Sequence, residues 1–226
     1  LKRFAAYEGK AIEFSNADFS SLVAAVASGK ADLIASSIFI TDERKKQINF
    51  SDPYYEMGAR LFALKQNIAD ASGINAAPVV PPADHKLRSV DDLKHKRIAV
   101  LLGSVHDSYA LKNFPQAEVM QYKSPSDILL AVKSGKVDAA IYTRETLVEI
   151  LHADPELALL GDSLQNYPIG VGFNKDKDVL REQFNAFLKT IKQDGTYDDM
   201  VSRWIKNNIT TMPHIENSKK NGVLIA

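Results

Sequence analysis

Arg44 stands where a cation does nothing for its own helix. The run Ile34-Ala35-Ser36-Ser37-Ile38-Phe39-Ile40-Thr41-Asp42-Glu43-Arg44 reads as an apolar strand ending in small hydroxyl residues. It turns at Thr41 as a helix N-cap and puts Arg44 in the first helical turn. The positive end of a helix dipole favours Asp42 and Glu43, and it disfavours a guanidinium by roughly a few tenths of a kcal/mol. A guanidinium fork beside hydroxyls and backbone N–H groups suits a carboxylate, which it can hold through two parallel charge-assisted hydrogen bonds. On the local sequence a structural pair with a nearby acid, or a solvated side chain, stands equally open.

A second stretch with chemical capacity is Leu101-Leu102-Gly103-Ser104-Val105-His106-Asp107-Ser108, a strand that ends in glycine and opens a helix. Glycine permits the tight turn, and N–H groups at a helix start can hold an anion, a carboxylate included. Most such turns only connect elements. The five histidines, His85, His95, His106, His152 and His214, are scattered without metal-ligand spacing, and no nucleophile elbow, P-loop or HExxH occurs. No metal, cofactor or catalytic group is therefore expected.

The elements that must carry these residues alternate. Periodicity predicts helices at 1–8, 19–27, 107–113, 125–133 and 180–192, and strands at 11–15, 32–36, 97–102, 117–122 and 138–142. That is the signature of sheets covered by helices. Val26-Ala27-Ser28-Gly29-Lys30-Ala31-Asp32 also matches Val132-Lys133-Ser134-Gly135-Lys136-Val137-Asp138, so two similar lobes are expected. Asp194-Gly195-Thr196-Tyr197 and 201–205, with Trp204, read as closing helices whose apolar residues pack. Residues 68–84, rich in Ala and carrying Pro78, Pro81 and Pro82, read as a surface loop.

Composition narrows the partners. Basic and acidic residues balance at 28 each, which argues against a nucleic-acid partner. No apolar run approaches the roughly 20 residues of a spanning helix. Cysteine is absent, so neither disulfides nor thiol chemistry enter.

From Ser28-Gly29-Lys30 through Asn49-Phe50-Ser51-Asp52-Pro53-Tyr54-Tyr55, and in motif order over nearly all of its length, the chain resembles the extracytoplasmic solute-binding proteins of polar amino-acid ABC transporters, bacterial family 3. The resemblance implies a two-lobed α/β fold of the type II periplasmic-binding-protein kind, with a hinge and a mostly parallel sheet flanked by helices in each lobe. Residues 1–66 with 170–226 would form the first lobe and 67–169 the second, with hinge passages at 61–65 and 169–173. It implies capture of a small carboxylate, an amino acid or a relative of one, between the lobes for an ABC permease. The alternatives are a ligand-sensing domain of a membrane receptor and, less favoured, a dehydratase-like enzyme. The expected location is periplasmic or extracytoplasmic, with a lipid anchor in the full-length parent.

The same resemblance assigns ligand contacts to Arg44, Ser37, Phe39 and Phe19, to Ser104 with the amides of Val105 and His106, and to Thr143. Thr143 occupies the place of an aspartate that neutralises the ligand's ammonium, and Phe39 that of a hydroxyl residue. An ammonium buried without a counter-charge costs several kcal/mol, more than one hydroxyl returns. Either Glu145 reaches in from the next helix, or the ligand carries an aromatic or apolar body that stacks on Phe39 and Phe19. The family's opening strand has its counterpart at 222–226, so that segment is expected to supply the first strand. A tandem array, a permutation or a strand-exchanged neighbour would each account for this.

Overall fold

The computed structural model describes residues 1–69, 86–207, 209, 211, 214–215 and 221–226. Most of the loop expected at 68–84 lies outside the described residues. The chain divides into two compact units: Leu1–Ala17, Ser21–Glu56 and Pro168–Ala226 form one, and Asp18–Ser20 with Met57–Tyr167 form the other. The divisions fall after residues 56 and 167, whereas the sequence suggested 66 and 169.

In the first unit, helix α1 (Lys2–Tyr7) leads to strand β1 (Ala11–Glu13), helix α2 (Leu22–Ala27), strand β2 (Leu33–Ile34), helix α3 (Asp42–Lys45) and strand β3 (Asn49–Phe50). Later in the chain come β9 (Gly172–Phe173), α7 (Asp178–Gln193), α8 (Thr196–Val201) and β10 (Val223–Ile225). Strand β10 pairs in parallel with β1, setting Leu224 opposite Ile12. Strand β9 lies between β2 and β3 and runs antiparallel to both. This unit thus holds one parallel pair and one three-stranded antiparallel sheet, where the resemblance implied mostly parallel ones.

Helix α7 forms because apolar residues recur on one face. Leu180, Phe184, Phe187, Leu188 and Ile191 are all buried, at the three-and-four spacing of an amphipathic helix. They close over Phe4, Leu33, Phe173 and Leu224. Phe184 meets Phe4 edge-on with ring centroids 5.1 Å apart and stands 5.9 Å from Phe173. Trp204, expected to pack, is 39% exposed. It sits in the π-helical turn Ser202–Lys206, whose extra residue per turn rotates side chains off the preceding helical face.

The second unit is built on strands β4 (Tyr55–Leu64), β5 (Arg97–Leu101), β6 (Glu118–Tyr122), β7 (Ala139–Thr143) and β8 (Leu157–Ile169), in the order β6-β5-β7-β4-β8. Strands β6, β5 and β7 are parallel, and β4 runs antiparallel to β7, with Ala59 opposite Thr143. That ladder is why the described β4, from which a hinge was expected at 61–65, lies almost wholly in this unit. Alternate residues face opposite ways. Ile98 and Val100 join one buried cluster with Ala110 of helix α4 (Val105–Asn113) and with Phe114, which caps the end of that helix. Ala99 and Leu101 join another, with Ile128 and Val132 of helix α5 (Pro125–Lys133) and Leu147 of helix α6 (Arg144–Ala153).

One polar clamp ties this sheet. Arg97 donates from Nε and Nη2 to Asp138 at 3.1 and 2.8 Å, and its backbone N donates to the same carboxylate at 2.8 Å. Burial is the largest single influence on Asp138 and pushes its carboxyl up, but the Arg97 bonds and charge together outweigh it and hold the group below its ordinary value. A depressed value in the folded state adds stability above the unfolded value of about 3.9, and that stability is lost as pH falls through the folded one. Asp138→Asn is expected to cost about 1 kcal/mol at pH 7, no more because the Arg97 side chain is 40% exposed. Urea unfolding at pH 7 and pH 3 checks this: an undiminished gap between variant and wild type at pH 3 would contradict it.

Candidate functional site

Thr41 has extended backbone, φ −131° and ψ 153°, and its side chain accepts a hydrogen bond from the Arg44 N–H at 3.3 Å, the N-cap that the sequence suggested. Helix α3 that follows has only four residues, so its own cooperativity is small and the cap matters. Arg44 is 8% exposed and donates from Nη1 to the carbonyl of Phe39 at 2.9 Å. Burial pushes its guanidinium below the ordinary value. Arginine keeps its charge regardless, so the first unit holds a desolvated cation beside a backbone oxygen. Phe39 is itself 3% exposed and bridges Ile169. Ser37 is exposed and has φ +48°, a left-handed conformation uncommon outside glycine and a frequent companion of binding sites.

The second half of the same motif is structural. Ser51 Oγ donates to the carbonyl of Asp52 at 2.8 Å and accepts from the N–H of Val171 at 2.9 Å. The Tyr197 hydroxyl donates to the carbonyl of Tyr54. Burial, and after it the Tyr197 hydroxyl, pushes the Tyr54 phenol up to about 12. These contacts pin Ser51-Asp52-Pro53-Tyr54 to the elements that follow β8.

In the second unit the turn at Gly103 has φ +73°, and a Cβ there would lie 3.1 Å from that of Ser20. Only glycine lets the Phe19–Ser21 turn pass so close. This corrects one expectation: residues 19–21 form a 3-10 turn ahead of α2, and Phe19 packs with the second unit's cluster of Phe62, Leu101 and Ala140. Ser104 caps α4, accepting from Asp107 N–H at 3.2 Å. Asp107 reaches back to accept from Gly103 N–H at 3.0 Å and is held by Gln121 Nε2 at 2.9 and 3.0 Å. Ser104, His106 and Asp107 are 4, 2 and 6% exposed.

The bracing pair Asp107 and Gln121 escaped the sequence reading. The spacing Ser-x-x-Asp is a capping-box pattern and could have indicated the first; nothing local indicates the second. The N–H groups of Val105 and His106 lie in the first turn, beyond reach of any helix carbonyl. The His106 ring lies 6.1 Å from that of Tyr142, the neighbour of Thr143. Thr143 is 8% exposed and precedes α6 with no hydrogen bond from its side chain to the cap. The structure thus gathers Ser104, Val105, His106 and Thr143 at the carboxyl ends of β5 and β7, where open α/β sheets place their ligands. Arg44, Ser37 and Phe39 share the first unit.

Among the described residues, no cluster of three or more His, Asp or Glu could hold a metal ion, and no helix is long and apolar enough to cross a membrane.

The profile of the bacterial extracellular solute-binding proteins, family 3, matches residues 1–207. The glutamine-binding protein of an ABC transporter from Bacillus subtilis is 27% identical over 200 residues, 88% of this chain and 67% of that protein. A probable histidine-binding protein from Campylobacter jejuni is 30% identical over 207 residues, covering 90% of this chain and 73% of its own. Among solved structures, the substrate-binding protein of an amino acid ABC transporter from Streptococcus pneumoniae, bound to L-arginine, superposes with a TM-score of 0.78 at 27% identity, over 93% of this chain and 83% of that one. The two α/β units, the capped turns at Arg44 and Ser104 and these likenesses agree: the chain belongs to the bacterial extracellular solute-binding proteins, family 3.

Proposed function

We propose that this chain captures an amino acid by its α-carboxylate outside the cytoplasm and delivers it to an ABC permease. The observation that carries the reading is Arg44, a guanidinium 8% exposed behind the Thr41 cap and facing the cost of burial. A carboxylate ligand repays that cost through the bidentate geometry arginine favours. The Ser104 turn is the second carboxylate contact, through its hydroxyl and the N–H groups of Val105 and His106. Relatives named for glutamine, histidine and arginine support an amino acid as the ligand class. The chain acts by binding and release without turnover. A lipid anchor on the full-length parent completes the extracytoplasmic setting.

Isothermal titration with L-arginine, L-glutamine and L-histidine tests this. At least one is expected to bind, and Ser104→Ala to weaken that ligand by roughly 10- to 150-fold, since a lost hydrogen bond to a charged group is worth roughly 1.5–3 kcal/mol. No heat with any of the three at millimolar concentration would sink the amino-acid reading.

A further inference from the structure

Glu145 is the acid of the second unit that its fold leaves unexplained. It lies in the first turn of α6, two residues beyond Thr143. Its Oε2 is fully buried and accepts no hydrogen bond among the described residues. Leu147, Ile150 and Leu151 are the residues of α6 that enter the apolar cluster, and Glu145 is two positions off their face. Other acids of this unit find donors where their surroundings are drier than the surface: Asp138 takes Arg97, Asp154 takes Lys133, and Asp107 takes Gln121 and the Gly103 N–H.

A carboxylate oxygen shut away from water and left without a donor is a standing cost, and natural structures keep few of them. The dipole of α6 favours negative charge in the first turn but supplies no bond to that oxygen. Thr143, the neighbour that would have to serve instead, is neutral, so it cannot balance a positive charge.

We propose that Glu145 is the counter-charge for a cationic nitrogen of the bound ligand, an ammonium or a guanidinium. The inference rests on the amino-acid reading above. It restores at Glu145 the negative charge missing at Thr143, so no apolar or aromatic ligand body is required. Glu145→Gln keeps the shape and removes the charge, and its thermal midpoint should stay within about 2 °C of wild type.

Titration calorimetry of both proteins with L-arginine, L-glutamine and 5-guanidino-2-oxopentanoate decides the matter. If Glu145 meets the α-ammonium, the variant loses roughly 30-fold or more with arginine and glutamine and little with the oxo acid. If it meets the guanidinium, arginine and the oxo acid lose and glutamine does not. Equal affinity of wild type and variant for arginine would overturn the proposal while leaving the amino-acid reading intact, and so would an equal loss with all three probes. A wild type that binds neither these three nor L-histidine removes the reading itself, and the inference falls with it.

Discussion

Replacing Arg44 by alanine is expected to weaken binding of L-arginine, or of whichever amino acid binds wild type, by a factor of about 10² to 10³. The magnitude follows from truncating one partner of a desolvated charge pair, which costs roughly 2–5 kcal/mol and leaves the other charge without its partner. Arg44 satisfies the conditions for a loss at that scale: it is 8% exposed, its guanidinium is pushed down by burial, and its Nη1 is fixed on the Phe39 carbonyl at 2.9 Å. Arg44→Lys should recover only part of the loss, because an ammonium supplies charge without the planar fork. Titration calorimetry at low and high salt separates the two effects. An Arg44→Ala protein that binds as tightly as wild type would end the case for this residue.

Phe173→Ala is expected to cost about 3–5 kcal/mol of stability, the range for removing a buried phenylalanine. Phe173 is fully buried on β9, sits opposite Leu33 of β2 and Asn49 of β3, and stands 5.9 Å from the ring of Phe184. Losing it opens a cavity at the point where β2, β3 and α7 meet. At the usual entropy of unfolding for a chain of this size the midpoint should fall by roughly 10 °C. Calorimetry of wild type and variant measures it. A fall under about 2 °C would mean that the cavity collapses, and that β9 is not the centre of the first unit's core. The neighbouring Gly172 also lies close to the core, since a Cβ there would come within 2.8 Å of Ile48 Cδ1.

The alternation of helix and strand was legible in the sequence wherever the signal is local. Helix α5 falls on the expected residues, 125–133, because Ser124 caps it through Asp127 N–H and Pro125 opens it. The caps at Thr41 and Ser104 are of the same kind, set by side chains that reach backbone three residues away. Arg44 and the Ser104 turn could therefore be named from residue types and spacing. Thr143 could be named only through the family resemblance, and its lack of a cap hydrogen bond appears only in the structure.

Other features depended on partners far along the chain. Phe19 reads as the start of a helix, yet it packs against the second unit's cluster to which Phe62 and Leu101 belong, because the helix proper begins at Leu22 and the turn before it crosses Gly103. The antiparallel seat of β9 between β2 and β3 joins segments more than a hundred residues apart, and no period within β9 could specify its neighbours. Asp107 is held by Gln121, and Oε2 of Glu145 is buried off its helix's packed face, for the same kind of reason. Periodicity and capping act over three or four residues and are written in the sequence. Burial and pairing are decided by which distant surfaces exclude water together, and only the folded chain establishes that.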